Sequence, residues 1–128
     1  MPRQHRGRGR GARQQRRRRV MRFLQPCLLV MLHSQPSHGY NLLAGLDEFG
    51  FDPQSLDPSL VYRTLRQMEA EGLVTSGWGA DSMGPQRRVY QITPLGEEHL
   101  AEWMVDLQRM RQEIEAVEKA YQRITDGE

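Results

Sequence analysis

Apolar residues recur along this chain with two different periods, and the switch between them divides it into elements. "FLQPCLLVMLHSQ" is apolar nearly all round, with Pro26 where a first helical turn tolerates it, and predicts a short buried helix over about 25–34. In "QPSHGYNLLAGLDEFG", Leu42, Leu43, Leu46 and Phe49 form an apolar stripe. Pro36 marks a boundary there, Ser37 offers an N-cap and Gly50 a stop, so a second helix is expected over about 38–49. "FDPQSLDPS" holds two prolines and reads as a linker.

Asp57 followed by Pro58 is a strong helix start, and Gly72 is the matching stop. Between them Leu60, Val61, Leu65 and Met68 share one side, while Ser59, Tyr62, Arg63, Arg66 and Gln67 fall on the other. The period then changes. "LVTSGW" (73–78) and "RRVYQIT" (87–93) are β-rich, and the intervening "GADSMGPQ" has the glycines and proline of a hairpin tip. A helical period returns after Thr93 and Pro94, another cap and first-turn pair. Leu100, Trp103, Leu107, Met110, Ile114, Val117, Tyr121 and Ile124 alternate at spacings of three and four, the seam of a coiled coil. A helix of about 30 residues is roughly 45 Å long, more than a small domain can cover, so the seam calls for a partner. A second copy of the chain is the economical choice.

Three helices, a hairpin and a long final helix, in this order, give a mainly α fold with a small β-hairpin wing: a winged helix-turn-helix carrying a C-terminal dimerisation helix. The expected organisation is a disordered tail over 1–19, the winged helix over 20–93 and the dimerisation helix over 94–126. With 128 residues and 38% hydrophobic content the chain can bury one modest core. Its longest apolar stretch, Cys27 to Leu32, is far too short to span a membrane. Cys27 has no partner for an intramolecular disulfide and the basic N-terminus lacks the apolar middle of a secretory signal, so a reducing, cytoplasmic location is expected.

Charge adds a feature that periodicity does not reveal. Ten of the 18 Lys and Arg residues lie between Arg3 and Arg22, and none of the 16 acids precedes Asp47, leaving +10 over residues 1–22 and −8 over the remainder. The tail is low-complexity Arg/Gly/Gln sequence that cannot offset its ordering entropy by burial. It reads either as a polyelectrolyte arm for nucleic-acid phosphates or as a dispensable extension ahead of Met21.

The four basic residues between Asp57 and Thr93 all fall on two elements, Arg63 and Arg66 on the third helix and Arg87 and Arg88 on the hairpin. Arginine can bond guanine in a bidentate way, glutamine can do so for adenine, and serine or tyrosine can reach a phosphate. The candidate DNA-binding set is therefore Ser59, Tyr62, Arg63, Arg66, Gln67, Arg87 and Arg88. A merely solvated helix face would show the same spacing, but it would not explain the hairpin arginines. Cys27 sits in the most apolar segment and reads as a structural thiol. Trp78 is expected to anchor the base of the hairpin. His38 reads as a helix-opening residue and His99 lacks a metal-site companion, so no metal or other cofactor is expected. No nucleophile elbow, phosphate loop or paired carboxylate appears, and the chain is not expected to be an enzyme.

Taken together, "HGYNLL", "SLVYRTLRQMEAEGLV", the Trp and glycine-containing loop, and "GPQRRVYQITPLGEEHL" resemble the PadR-like transcription regulators over about 26–100. The resemblance implies a dimeric winged-helix repressor of palindromic operators, of the short type with a single C-terminal helix. It also implies that a planar aromatic effector could stack at the dimer interface, where Trp103, Met104 and Leu107 would line it; the favoured reading of Trp103 is the plainer one, a large seam residue that needs no further reason to be apolar. Arg63 stands where the family pattern carries proline, which adds a candidate base reader, and the arginine-rich tail has no counterpart in that pattern. The competing function is a winged helix used as a protein-interaction module. In that case the acidic final helix would dock a basic partner and the tail would bind nucleic acid non-specifically.

Overall fold

The computed structural model describes residues 23–52, 54–78 and 88–127. Helix α1 occupies 23–34 and is followed by a two-residue strand, β1 (Ser37–His38). Helix α2 (Gly39–Gly45) runs into a 3-10 turn over Leu46–Phe49, and α3 spans Pro58–Ala70. Strands β2 (Val74–Trp78) and β3 (Arg88–Ile92) precede the long helix α4 (Pro94–Thr125).

Local chemistry accounts for the boundaries. The Asp57 carboxylate accepts a hydrogen bond from the Ser59 amide at 3.0 Å while Pro58 occupies the first turn, so α3 starts where two orphan donors are disposed of at once. Thr93 does the same for α4 by accepting from the Gly96 amide at 3.0 Å, ahead of Pro94. Gly50 and Gly72 take φ of 90° and 81°, left-handed values that stop the elements before them. Gly96 has a different reason to be glycine: a Cβ there would drive into the backbone carbonyl oxygen of Leu73, so its absence lets α4 start flush against the sheet. The Thr93 hydroxyl reinforces this junction, donating toward the carbonyls of Gly72 (2.6 Å) and Leu73 (3.0 Å).

The sheet is antiparallel with order β1-β3-β2. Ser76 faces Tyr90, and Trp78 faces Arg88, across the hairpin. β1 uses the other edge of β3, with Ser37 opposite Tyr90. Ser37 is thus a strand residue; the residue preceding α2 is His38, and it makes no side-chain cap. The N-cap expected at Ser37 is lost because its backbone pairs with β3 instead.

One apolar cluster unites these elements. Leu24, Leu28, Leu29 and Leu32 from α1 meet Leu42 and Leu46, the α3 residues Val61, Leu65 and Met68, Val74 and Tyr90 from the sheet, and Leu100 from α4. No charged or polar residue is fully buried among the described residues. Within α1, Leu24, Pro26, Cys27, Leu28, Leu29 and Leu32 are buried, whereas Phe23 and Val30 stay exposed, so its nearly all-round apolar character exceeds what the core covers. Cys27 is 3% exposed within it, and burial pushes its thiol up to about 11. No described helix is long and apolar enough to cross a membrane.

Candidate nucleic-acid interface

Packing of Val61, Leu65 and Met68 into the core fixes the rotation of α3 and turns Ser59, Arg63, Arg66 and Gln67 to solvent. Arg63 and Arg66 lie three residues apart on that surface. Among the described residues no carboxylate forms a salt bridge with either guanidinium; the two close carboxylate pairs there, His33–Glu97 and His99–Glu102, both involve a histidine. Gln67 donates its amide to Glu71 at 3.1 Å, so a base contact would require exchanging that bond. Tyr62 lies at the border of the polar face, half-buried against the core, and its phenol is pushed up by burial first and by neighbouring Tyr40 second.

The hairpin stands beside this helix and is tied to it. The Ser76 hydroxyl lies 2.8 and 3.0 Å from the two carboxylate oxygens of Glu69. Opposite Ser76, Tyr90 is buried. Its phenol is raised mainly by burial and then by the charge of Glu69, with Arg88 and Arg66 pulling the other way. These influences place two of the expected arginines and the helix-to-hairpin tie within one electrostatic neighbourhood. Arg88 is half-buried; Arg87 lies outside the described residues, as do the hairpin tip and the arginine-rich tail.

Trp78 departs from expectation. It is 57% exposed and occupies the rung furthest from the hairpin base, where the Arg88 guanidinium lies over its ring, 4.9 Å from the centroid. The base is held instead by Leu73 and Val74, both buried. A tryptophan at the outer rung has no core wall to meet, so the nearest partner for its face is the cross-strand arginine.

The final helix leaves the domain soon after it begins. Leu100 is buried and Trp103 and Leu107 are half-buried, but Met110, Ile114, Val117, Tyr121 and Ile124 are 40–74% exposed. Of the three residues considered for an effector, Trp103 is hydrogen-bonded to Gln25, Met104 is exposed and Leu107 is half-buried. A groove of about 440 Å³ lies elsewhere, between α1, β1 and α2, lined by Met31, Asn41, Leu42, Glu48 and Phe49 among others, and includes none of the three.

Sequence spacing did not reveal the Glu69–Ser76 tie or the Gln25–Trp103 bond. The Trp78–Arg88 contact had a usable signal: counting hairpin register outward from Val74 and Ile92 pairs the two residues.

A helix-turn-helix with a hairpin flanking its exposed basic helix is the architecture of the winged-helix regulators. Residues 28–102 match the model of the transcriptional regulator PadR-like family, and the chain belongs to that family of transcriptional regulators. Among solved structures it is similar to a conserved protein of unknown function described as a potential transcriptional factor, at 32% identity and TM-score 0.67 over 81% of this chain and 91% of that one. It is similar as well to a putative transcriptional regulator from Thermoplasma acidophilum, at 31% identity and TM-score 0.65 over 77% and 92%. A PadR-like transcriptional regulator from Bacillus cereus matches at 28% identity and TM-score 0.62, over 73% and 89%. A search of curated proteins found no match.

Proposed function

We propose that the protein is a homodimeric, sequence-specific DNA-binding repressor. The observation that carries this reading is the orientation of α3, which commits its apolar residues to the core and leaves Ser59, Arg63, Arg66 and Gln67 available to base edges and phosphates. Arg88 of β3, with Arg87 next to it in sequence, would hold the adjoining backbone, in the division of labour where phosphate contacts position and base contacts specify. The apolar seam of α4 supports pairing of two chains, and a two-fold dimer would offer two copies of α3 to successive major grooves, about 34–36 Å apart. Occupying a promoter in this way blocks transcription, and the family membership favours that role.

Selection of bound duplexes from a random pool at fixed salt tests the reading. A recovered sequence with two-fold symmetry is the expected result, and a pool that stays random overturns it.

A further inference from the structure

Assigning Arg88 to a phosphate leaves open what holds so long a side chain in place before DNA arrives. Trp78 and Arg88 are direct cross-strand partners with the guanidinium over the indole, an arrangement favoured by the negative face of the ring. Side chains two residues apart on a strand share a sheet face, so this pair lies on the same face as Ser76 and Tyr90. Through Ser76 that face is bonded to Glu69 of α3, which places the stacked pair one step outward from the tie between hairpin and helix. The Arg88 Nε is buried without a hydrogen-bond partner. Its side-on edge is therefore closed to a ligand, so a phosphate would have to approach by the end-on edge that the two terminal amino groups form.

We infer that Trp78 is a positioning residue for the wing: its indole holds Arg88 in the end-on presentation to a backbone phosphate. The inference rests on the DNA-binding reading above. It explains why a tryptophan stands exposed at the outer rung, since its face is used by the arginine rather than by the core. Fixing the guanidinium in advance lowers the side-chain ordering cost at the moment of binding.

The test is a mutant cycle in the full-length chain, so that any contribution of the arginine-rich tail is common to every member and cancels. Trp78→Leu, Trp78→Phe, Arg88→Ala and the Trp78→Leu/Arg88→Ala double variant are titrated against a labelled mixed-sequence duplex at several salt concentrations. Trp78→Leu keeps an apolar side chain without the ring face, and because residue 78 is exposed the fold is retained, checked by circular dichroism. The expected result is an affinity loss of about two- to fivefold for Trp78→Leu. Its salt slope should shift toward that of Arg88→Ala, which lacks about one phosphate contact per chain. The double variant should be no weaker than Arg88→Ala, and Trp78→Phe should recover most of the loss. Wild-type binding with Trp78→Leu undiminished, or losses that simply add, overturns the inference alone. An Arg88→Ala loss with the salt slope unchanged overturns the phosphate assignment. A wild-type chain with no affinity for duplex DNA overturns the reading beneath it as well.

Discussion

The indole N–H of Trp103 donates to the side-chain oxygen of Gln25 at 2.8 Å, joining the long helix to the first helix across 78 residues of sequence. The same oxygen faces His99 Nε2 at 2.9 Å, and a second link, His33 to Glu97 at 2.6 Å, lies along the same seam of contact. Two polar ties along one helix pair fix the angle at which α4 leaves the domain.

Removing the shared acceptor with Gln25→Ala leaves the half-buried Trp103 donor unmatched. A loss of about 1–2 kcal/mol is expected, read from the urea midpoint at unchanged slope.

Arg63→Ala is expected to relax preference at one base per half-site, costing about 1–3 kcal/mol against the best sequence while affinity for unrelated duplexes changes little. Competition with single-base variants of a selected site measures this. Uniform weakening across all sequences would assign Arg63 to a phosphate instead.

Ile114→Glu sets a carboxylate in the exposed seam, at a position 59% open in the single chain. If two copies meet there, each loses an apolar contact worth about 1.5–3 kcal/mol and gains like-charge repulsion. Sedimentation should then report a species near 14.9 kDa where the wild type reports twice that mass.

Gly96→Ala is expected to cost about 3 kcal/mol or more, because the new methyl meets a backbone carbonyl rather than a flexible side chain. Thermal denaturation reads the loss, and the lesion should be larger than that of any alanine placed on the solvent face of α4.

Cys27 should resist alkylation by iodoacetamide in the native state at pH 8 and react once urea unfolds the chain, since burial both shields the thiol and raises it to about 11. The linkage has a definite sign. The folded value lies above the ordinary 9.0, so its contribution to stability is fully present below about pH 9 and declines as pH rises through 11. Urea titrations between pH 8 and 11 should show that fall, and Cys27→Ala should lessen it.

Much of this architecture could be read from residue order. Asp57 with Pro58 and Thr93 with Pro94 placed two helix starts correctly, because capping is decided within four residues. Hairpin strands and the apolar seam of α4 were likewise visible in periods of two and three-to-four. The strand at Ser37–His38 was not, since two residues carry no period and pair only because β3 offers a free edge. Trp78 was misplaced for a related reason: hydrophobicity suggested burial, whereas its rung lies beyond the core and its neighbour is a cation. The polar face of α3 was legible as a set. That Gln67 is held by Glu71, and Tyr62 half-buried, depends on contacts that spacing does not encode.

Helix α4, at 32 residues and about 48 Å, reaches well past the last side chain that the domain can shelter. Such an overhang, with few contacts of its own, is only marginally helical in water. With a second copy over the bare strip, as proposed above, that order would be borrowed from the partner and thermal resistance would follow concentration: dilution should then lower the melting temperature, and abundance should raise it.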